Sequence, residues 1–558
     1  MATNAINQGQ PKILYDWVPR WLGILMLLFI FIPTMSINGT YSGNAAYIVG
    51  ELGIMSEHII FTSFATSIGM LVAGPFAMPI LKAFGKRRIY ILGFSIMLAL
   101  NILCGYVESP MVLAICSFVL GFVRIVILLN TIFTLINIQK GMDPIPHLSP
   151  PPGMTYEQKE EKTKGRIKFQ SFIFLVCLTI SQIGSYHTSV IAYEYRWQYA
   201  HWFVAVYILI ALVMVMTMIR PSHTRDKSKI EWPPVGQAIL AAIFFFAVVY
   251  VLVYGKTYDW FDDYRIKLAA AIALISAGLF LVLLYHSKRR IIDVTVTKPR
   301  NVKTALLFFS LIMLLNASSM LSSAFMGMAM TMDSVKVASI GNWQLLGYVL
   351  GVVLNMLFVK MNVPVRWSLT FIFALMTSSI VYLYFIYQTA ATPEMMILPT
   401  VLRGMSILML YAFCGSMGAR DLDFGKQLGS WLFVMLIFRA VLAPVGGNVL
   451  YTNGIHHRSE QHIARYAQEL DRANSEAANA FQRTQMGMVR QGKSYEEATQ
   501  MATIASKGGI QRQAMLTTLK ELTGWTIWFG IACIIIALLF PYAGKPKTVS
   551  PDLQSAAP

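Results

Sequence analysis

Acidic residues are scarce in this 558-residue chain: 27 Asp and Glu stand against 45 Lys and Arg. Charged residues of both signs make up only 13% of it, against 56% apolar residues. That balance excludes a soluble multidomain enzyme, a disordered chain and a fibrous one. Cysteine is also rare, and Cys104, Cys116, Cys177, Cys414 and Cys533 all fall inside apolar runs. No disulfide framework and no zinc site is expected from them, and no other metal or cofactor motif is present. No removable leader is expected either, because the first apolar run, from Trp21, is long enough to span and stay.

Long apolar runs are what the sequence has in abundance. A membrane span takes roughly 20 apolar residues. Fourteen such runs occur, at about 21–42, 59–80, 89–107, 110–137, 169–191, 199–219, 236–255, 266–285, 304–330, 339–359, 367–388, 396–417, 428–450 and 524–541. In lipid each is helical, since a helix satisfies its own backbone without a barrel partner. The expectation is an all-α polytopic membrane protein with 14 transmembrane helices. If the N-terminus is cytoplasmic, the inside loops hold 28 Lys and Arg and the short outside loops hold 5. This asymmetry places both termini in the cytoplasm. It also assigns the net charge of +18 to topology, with no nucleic-acid surface.

Two loops are long. Inside, residues 139–168 carry a proline cluster from Pro144 to Pro152 and then Lys/Glu alternation, which predicts an extended stretch followed by a short polar helix. Outside, residues 451–523 show helical spacing at Ile463, Tyr466, Ala467 and Leu470, with a capping box at Ser494 and Glu497 before a second helix. Within that loop, Gly487 to Ser494 fits the phosphate-loop pattern G-x-x-x-x-G-K-(S/T). The segment before it is polar and helical, not a buried strand, so a glycine turn and an N-cap serine are the expectation.

Three arginines lie inside spans, Arg124, Arg403 and Arg439, and no Asp or Glu lies in any span. A buried arginine costs at least about 2.5–3.5 kcal/mol on insertion scales, so each should face the bundle interior and a polar partner. The structural alternative is an arginine that locks helices through end carbonyls. Asn130, Gln182, Tyr186, Asn316 and Gln344 are polar groups within the spans; they line a cavity or bridge helices. With the three arginines they make up the expected substrate-binding set. His187, near the outer end of the fifth span, is the proton-coupling candidate because histidine as a residue type can carry a proton near neutral pH, with Glu194 just outside. An interfacial histidine bonded to a neighbouring helix is the plain alternative. Met326, Met328, Met330 and Met332 offer adaptable apolar surface or ordinary packing.

Several local patterns then fall in a familiar order. Leu81-Lys82-Ala83-Phe84-Gly85-Lys86-Arg87-Arg88 resembles the G-x-L-a-D-r-x-G-r-(K/R) loop of the major facilitator superfamily, with Met78 at the usual first glycine and Lys82 at the usual acid. Tyr195-Arg196-Trp197 through Trp202-Phe203 resembles the W-R-W-x-F turn of the 14-helix drug:proton antiporters of that superfamily. Arg403-Gly404 resembles their pair in the twelfth helix, and Arg439 with Gly446 their motif in the thirteenth. The outer loop carries further matches at His456-His457-Arg458-Ser459, Ser494 to Ala498 and Gln513-Ala514-Met515. There are departures: the first span has no acid, Gln182-Ile183-Gly184-Ser185-Tyr186-His187 replaces G-P-x-x-G-G, and the fourth-helix arginine stands at Arg124, seven residues beyond the usual place.

The resemblance implies the major facilitator fold: two six-helix halves, 1–220 and 301–558, with two inserted helices in 221–300 and a helical periplasmic loop at 451–523. It implies Lys82, Gly85, Lys86, Arg87 and Arg88 as a conformational-switch loop. It also implies a secondary transporter, not an enzyme, exporting amphipathic organic compounds across a bacterial inner membrane on the proton gradient. A periplasmic adaptor and an outer-membrane channel are its expected partners; a lid over the transporter's own mouth is the other role for the loop. The all-positive embedded charge favours anionic or neutral substrates. A transporter of one specific organic or amphipathic anion, with or without proton coupling, is the second reading, and a non-transporting scaffold or sensor the third.

Overall fold

The computed structural model describes residues 13–37, 39–42, 44–140, 155–221, 230–469 and 475–542. The proline cluster 144–152 lies outside the described residues. Fourteen helices in chain order correspond to the apolar runs. They are α1 (Arg20–Ser36), α2 (Ser56–Ala83), α3 (Lys86–Cys104), α4 (Pro110–Lys140), α5 (Tyr156–Glu194), α6 (Trp197–Met218) and α7 (Val235–Tyr254). The rest are α8 (Tyr264–His286), α9 (Arg300–Asn316), α10 (Gln344–Lys360), α11 (Val365–Ile386), α12 (Ile397–Gly418), α13 (Phe424–Leu436) and α14 (Tyr495–Leu539). Among the described residues thirteen helical segments are long and apolar enough to cross a membrane, and α1, 17 residues long, is a shorter apolar helix. The chain is a multi-pass membrane protein.

Capping sets several helix starts. Asp263 begins α8 and Asp423 begins α13, each accepting a backbone N–H of the first turn. Thr155 with Gln158, and Ser494 with Glu497, form capping boxes on α5 and α14. These capping acids and hydroxyls sit at helix starts.

The polar helix expected after the proline cluster is not short. It is the first part of α5, which runs unbroken for 39 residues from the basic end through the whole span. No proline interrupts Tyr156–Glu194, so the polar stretch and the apolar one share a single backbone ladder. The opposite end behaves alike. Helix α13 continues through a π-helical turn, Ile437–Leu442, into a helix Ala443–Glu469 that leaves the span without a break. A separate helix, Ser475–Arg490, follows, and α14 then returns as one helix of 45 residues. Gly487 lies in that separate helix and Gly492 turns at φ +90°, so the phosphate-loop pattern has a helix before it, not a strand.

Packing divides the helices. One apolar core joins residues of α1, α3, α4 and α6; a larger one joins α2, α4, α7, α9 and α11 to α13. Helices α2 and α4 cross where each presents a glycine: a Cβ on Gly69 would lie 2.0 Å from the Phe118 carbonyl oxygen, and one on Gly121 2.0 Å from that of Thr66. Helices α10 and α12 repeat the device with Gly347 and Gly404. Helix α7 packs on α2, and α8 packs on α7. The outer side of α8 leaves Leu268, Leu274, Ile275 and Leu279 exposed, as a lipid-facing helix should. In the connection to α9, the Asp293 backbone N–H donates to Ser430 and Gln427 donates to the Asp293 carboxylate, tying this segment to α13. Partial burial pushes that carboxyl up, but the hydrogen bonds from Thr295 and Gln427 outweigh it and hold Asp293 below its ordinary value.

Candidate functional site

Helix α5 is the seam. It packs on α10 and α12, while α2 packs on α13. Along its basic half, Arg166 donates to the Ala419 carbonyl at 2.6 Å and Lys164 to Asn362 at 2.6 Å. Ser416 donates to Gln170 at 2.7 Å, and Asn355 donates to Ser171 at 3.1 Å. Nearer the opposite end, Gln182 lies against Gly341, and Gly184 lies against Ser36 of α1.

Between α4, α5 and α13 lies a cavity of about 700 Å³. Its wall is mostly apolar, with Leu129, Ile132 and Phe133 from α4, Phe169 and Phe174 from α5, Phe309 from α9 and Trp431 from α13. Its charged lining residues are Lys162, Arg166 and Arg439, and no carboxylate lines it among the described residues. From Arg439 to Phe424 on α13 is 15 residues, so the cavity runs about 22 Å along the bundle, from mid-span to the basic end.

Arg439 sits in the π-helical turn of α13, a local widening that turns its side chain inward. Its guanidinium lies over Tyr411 at 4.0 Å and near Phe174 at 5.2 Å from the ring centroids. Such stacking holds the cation while leaving N–H donors for a ligand. Arg124 is buried one layer behind, donating to Met35 Sδ at 3.2 Å, within electrostatic reach of Cys177 and Arg439. Cys177 itself lines the cavity. Two arginines from α4 and α13 thus converge near mid-membrane.

Arg403 is elsewhere. It is buried at 4% exposure in a separate pocket of about 120 Å³ bounded by residues of α10, α11, α12 and the segment after α9. Gln344 lines that pocket too, and its Oε1 accepts from Tyr348 at 2.8 Å. Met326 is part of the same wall, whereas Met328 is exposed.

The remaining predicted residues are dispersed. Asn130 is buried and donates to the Lys86 carbonyl at 3.1 Å, bridging α4 to the start of α3. Asn316 ends α9 with a buried side-chain oxygen that has no hydrogen-bond partner. Tyr186 makes an edge contact with His187, which is exposed and bonded to the Ile183 carbonyl at 2.9 Å within its own helix. Glu194 is the last residue of α5 and is exposed. In the basic loop, Gly85 is the N-cap of α3, Lys86 is buried, and Arg87 donates to the Met216 carbonyl of α6 at 2.8 Å. Lys82 closes α2, and Arg88 is exposed. Phe174, Cys177, Tyr411, Lys162 and Arg166 are cavity or arginine contacts that sequence reasoning missed. Apolar and aromatic positions within a span carry no signal of which face is inward, and the two cations belong to the polar turns of α5.

The overall arrangement has a counterpart among solved structures. The chain matches a crystal structure of the nucleoside transporter NupG with a TM-score of 0.50 at 10% identity, covering 92% of this chain and 99% of that one. The fold is that of the major facilitator transporters. Two further solved structures are similar: a peptide transporter POT in complex with sulfate, and the human organic anion transporter MFSD10. The first gives a TM-score of 0.49 at 13% identity over 92% of this chain and 94% of that one. The second gives 0.44 at 11% identity over 92% and 97%. No protein-family model matches the chain, and no curated protein matches it in sequence.

Proposed function

We propose that the chain is a secondary transporter of amphipathic organic anions, with the cavity between α4, α5 and α13 as the substrate site. The observation that carries this reading is the cavity wall: apolar surface for an organic body, cations at both ends, and no carboxylate among its described lining residues. Arg439 binds the anionic group near mid-span, Arg124 behind it adds to the positive potential, and Tyr411 and Phe174 fix the guanidinium. The major facilitator fold supports rocking of the two halves, 1–220 and 301–558, around such a site, with 221–300 as the inserted pair. The hydrogen bonds along α5 are then the contacts that exchange during the cycle. In this reading the basic end is cytoplasmic, the membrane is a bacterial inner membrane, and the loop of Lys82, Gly85, Lys86, Arg87 and Arg88 couples α2 to α3 during rocking.

The resemblance to 14-helix drug:proton antiporters supports export driven by the proton gradient, with His187 and Glu194 as the groups that carry the proton. His187→Ala then abolishes flux driven by a pH gradient while substrate counterflow continues; retained pH-driven flux removes His187 from the mechanism.

The substrate class is testable without knowing the substrate. Cys177 is half-buried on the cavity wall, whereas Cys104, Cys116, Cys414 and Cys533 are buried. Anionic and cationic methanethiosulfonates are compared on the intact protein in lipid, each rate normalised to a free thiol. A positive cavity concentrates the anionic reagent, so it should modify Cys177 at least about tenfold faster. Equal rates, or a faster cationic reagent, overturn the anion reading.

A further inference from the structure

We propose that the pocket around Arg403 is a second binding site, for a small monovalent anion of the halide class, distinct from the central cavity. This goes beyond the transport reading and does not depend on it. Arg403 and Gly415, which lines the central cavity, are twelve residues apart on α12, about 18 Å along the helix. The two chambers therefore share a helix but not a wall.

The pocket holds about 120 Å³, room for a halide and a few waters and too little for an amphipathic organic molecule. Its polar lining is donor-rich: Ser319, Ser322, Ser323, Gln344 and Arg403, besides Thr400, whose hydroxyl donates to the Met396 carbonyl, with no carboxylate among the described lining residues. Gln344 uses its oxygen on the Tyr348 hydroxyl, which leaves its N–H2 as the end offered to the pocket. Arg403 donates one Nη2 hydrogen bond, to Ser318 at 3.0 Å, while its buried Nε has no partner. A guanidinium has five N–H donors, and a charge this deeply buried is strongly destabilising unless compensated. Tyr387, whose hydroxyl lies 3.4 Å from that of Ser322, supplies further polar contact but no formal negative charge. Met326, Val337, Ile340, Leu383, Met396 and Pro399 form the apolar part of the wall, and a low-dielectric wall strengthens attraction for an anion. An ion that accepts hydrogen bonds from every side, and donates none, is the species this set of groups recognises.

The test uses the purified full-length protein in lipid nanodiscs. Its thermal unfolding midpoint is followed as sodium chloride replaces sodium gluconate at constant ionic strength, with sodium formate as a third arm. The wild type should show a saturable rise in chloride and none in gluconate. Losing the charged donor in Arg403→Gln should raise the half-saturating chloride concentration at least about tenfold, and Ser319→Ala with Ser323→Ala about threefold. Arg439→Gln should leave the chloride response as in the wild type. The proposal is overturned by no chloride-specific rise, by an unchanged response in Arg403→Gln, or by loss of the response in Arg439→Gln. Stabilisation by formate without chloride overturns the halide class. If Arg403→Gln does not fold, the serine pair decides: an unchanged half-saturation overturns the site.

Discussion

Helices α4 and α12 are built alike and used differently. Each passes a glycine against a neighbour's backbone, Gly121 beside the Thr66 carbonyl and Gly404 beside that of Gln344, and each buries one arginine. Arg124 lies three residues after its glycine and Arg403 one residue before. The offset of four residues is about one helical turn, or 6 Å, on nearly the same face. Arg124 lies in the layer of Cys177 and Arg439, whereas Arg403 meets Ser318 and the serine-lined pocket. The crossing glycines fix the scaffold, and the placement of the arginine along it sets the chemistry.

The sharpest way to break this comparison is at the glycines. A side chain at Gly121 meets a carbonyl oxygen at 2.0 Å, and one at Gly404 meets a carbonyl oxygen at 2.8 Å. Gly121→Val should destabilise by about 3 kcal/mol and Gly404→Val by less, since overpacking cost rises with the overlap that backbone must absorb. Thermal unfolding in detergent, followed by size-exclusion profiles, gives the order. Equal stability of both variants would mean that the crossings are looser than described.

The next effect is on transport. Arg439→Gln removes a charged donor facing the cavity and should lower organic-anion flux in proteoliposomes about 10- to 100-fold, mainly through KM. Arg124→Ala should follow in the same direction with normal protein level in the membrane. Arg403→Gln should lower flux less than about tenfold, a difference of about 1.36 kcal/mol. If Arg403→Gln costs more flux than Arg439→Gln, the assignment of chambers is reversed.

The smallest effect lies outside the bundle and serves as a control on both helices. Glu521 of α14 forms ion pairs with Arg458 at 3.5 Å and His462 at 3.1 Å, both on the helix Ala443–Glu469. These groups are partly exposed, so Glu521→Ala should cost no more than about 1 kcal/mol and leave flux through either chamber unchanged. A large loss of flux would tie this helix pair directly to the transport cycle.

Most of the fold is legible in the sequence, because length and hydropathy alone define the spans and Ser494 with Glu497 marks the start of α14. The capping residue is local, and so is its consequence. What is not legible is how far each helix runs. Nothing in a hydropathy window says that the polar turns before residue 169 share a helix with the span, since that follows only from the absence of a breaker. The site is half legible. Intramembrane arginines stand out by their cost, but their grouping does not: Arg124 and Arg439 converge, Arg403 does not, and the difference rests on which distant helices pack together. Phe174, Cys177 and Tyr411 are silent because an apolar residue facing a cavity and one facing lipid have the same composition.

Helix α14 has one mechanical consequence. Its first 19 residues, Tyr495 to Gln513, precede the stretch from Ala514 that is buried against the bundle, so on an unbroken helix they form a lever arm of about 28 Å. Each tilt of about 10° in the buried part sweeps the tip through about 5 Å. The arm is thus a pointer with built-in gain: a fluorophore pair between its tip and the Glu194 end of α5 would display small rotations of α14 that are hard to see inside the bilayer.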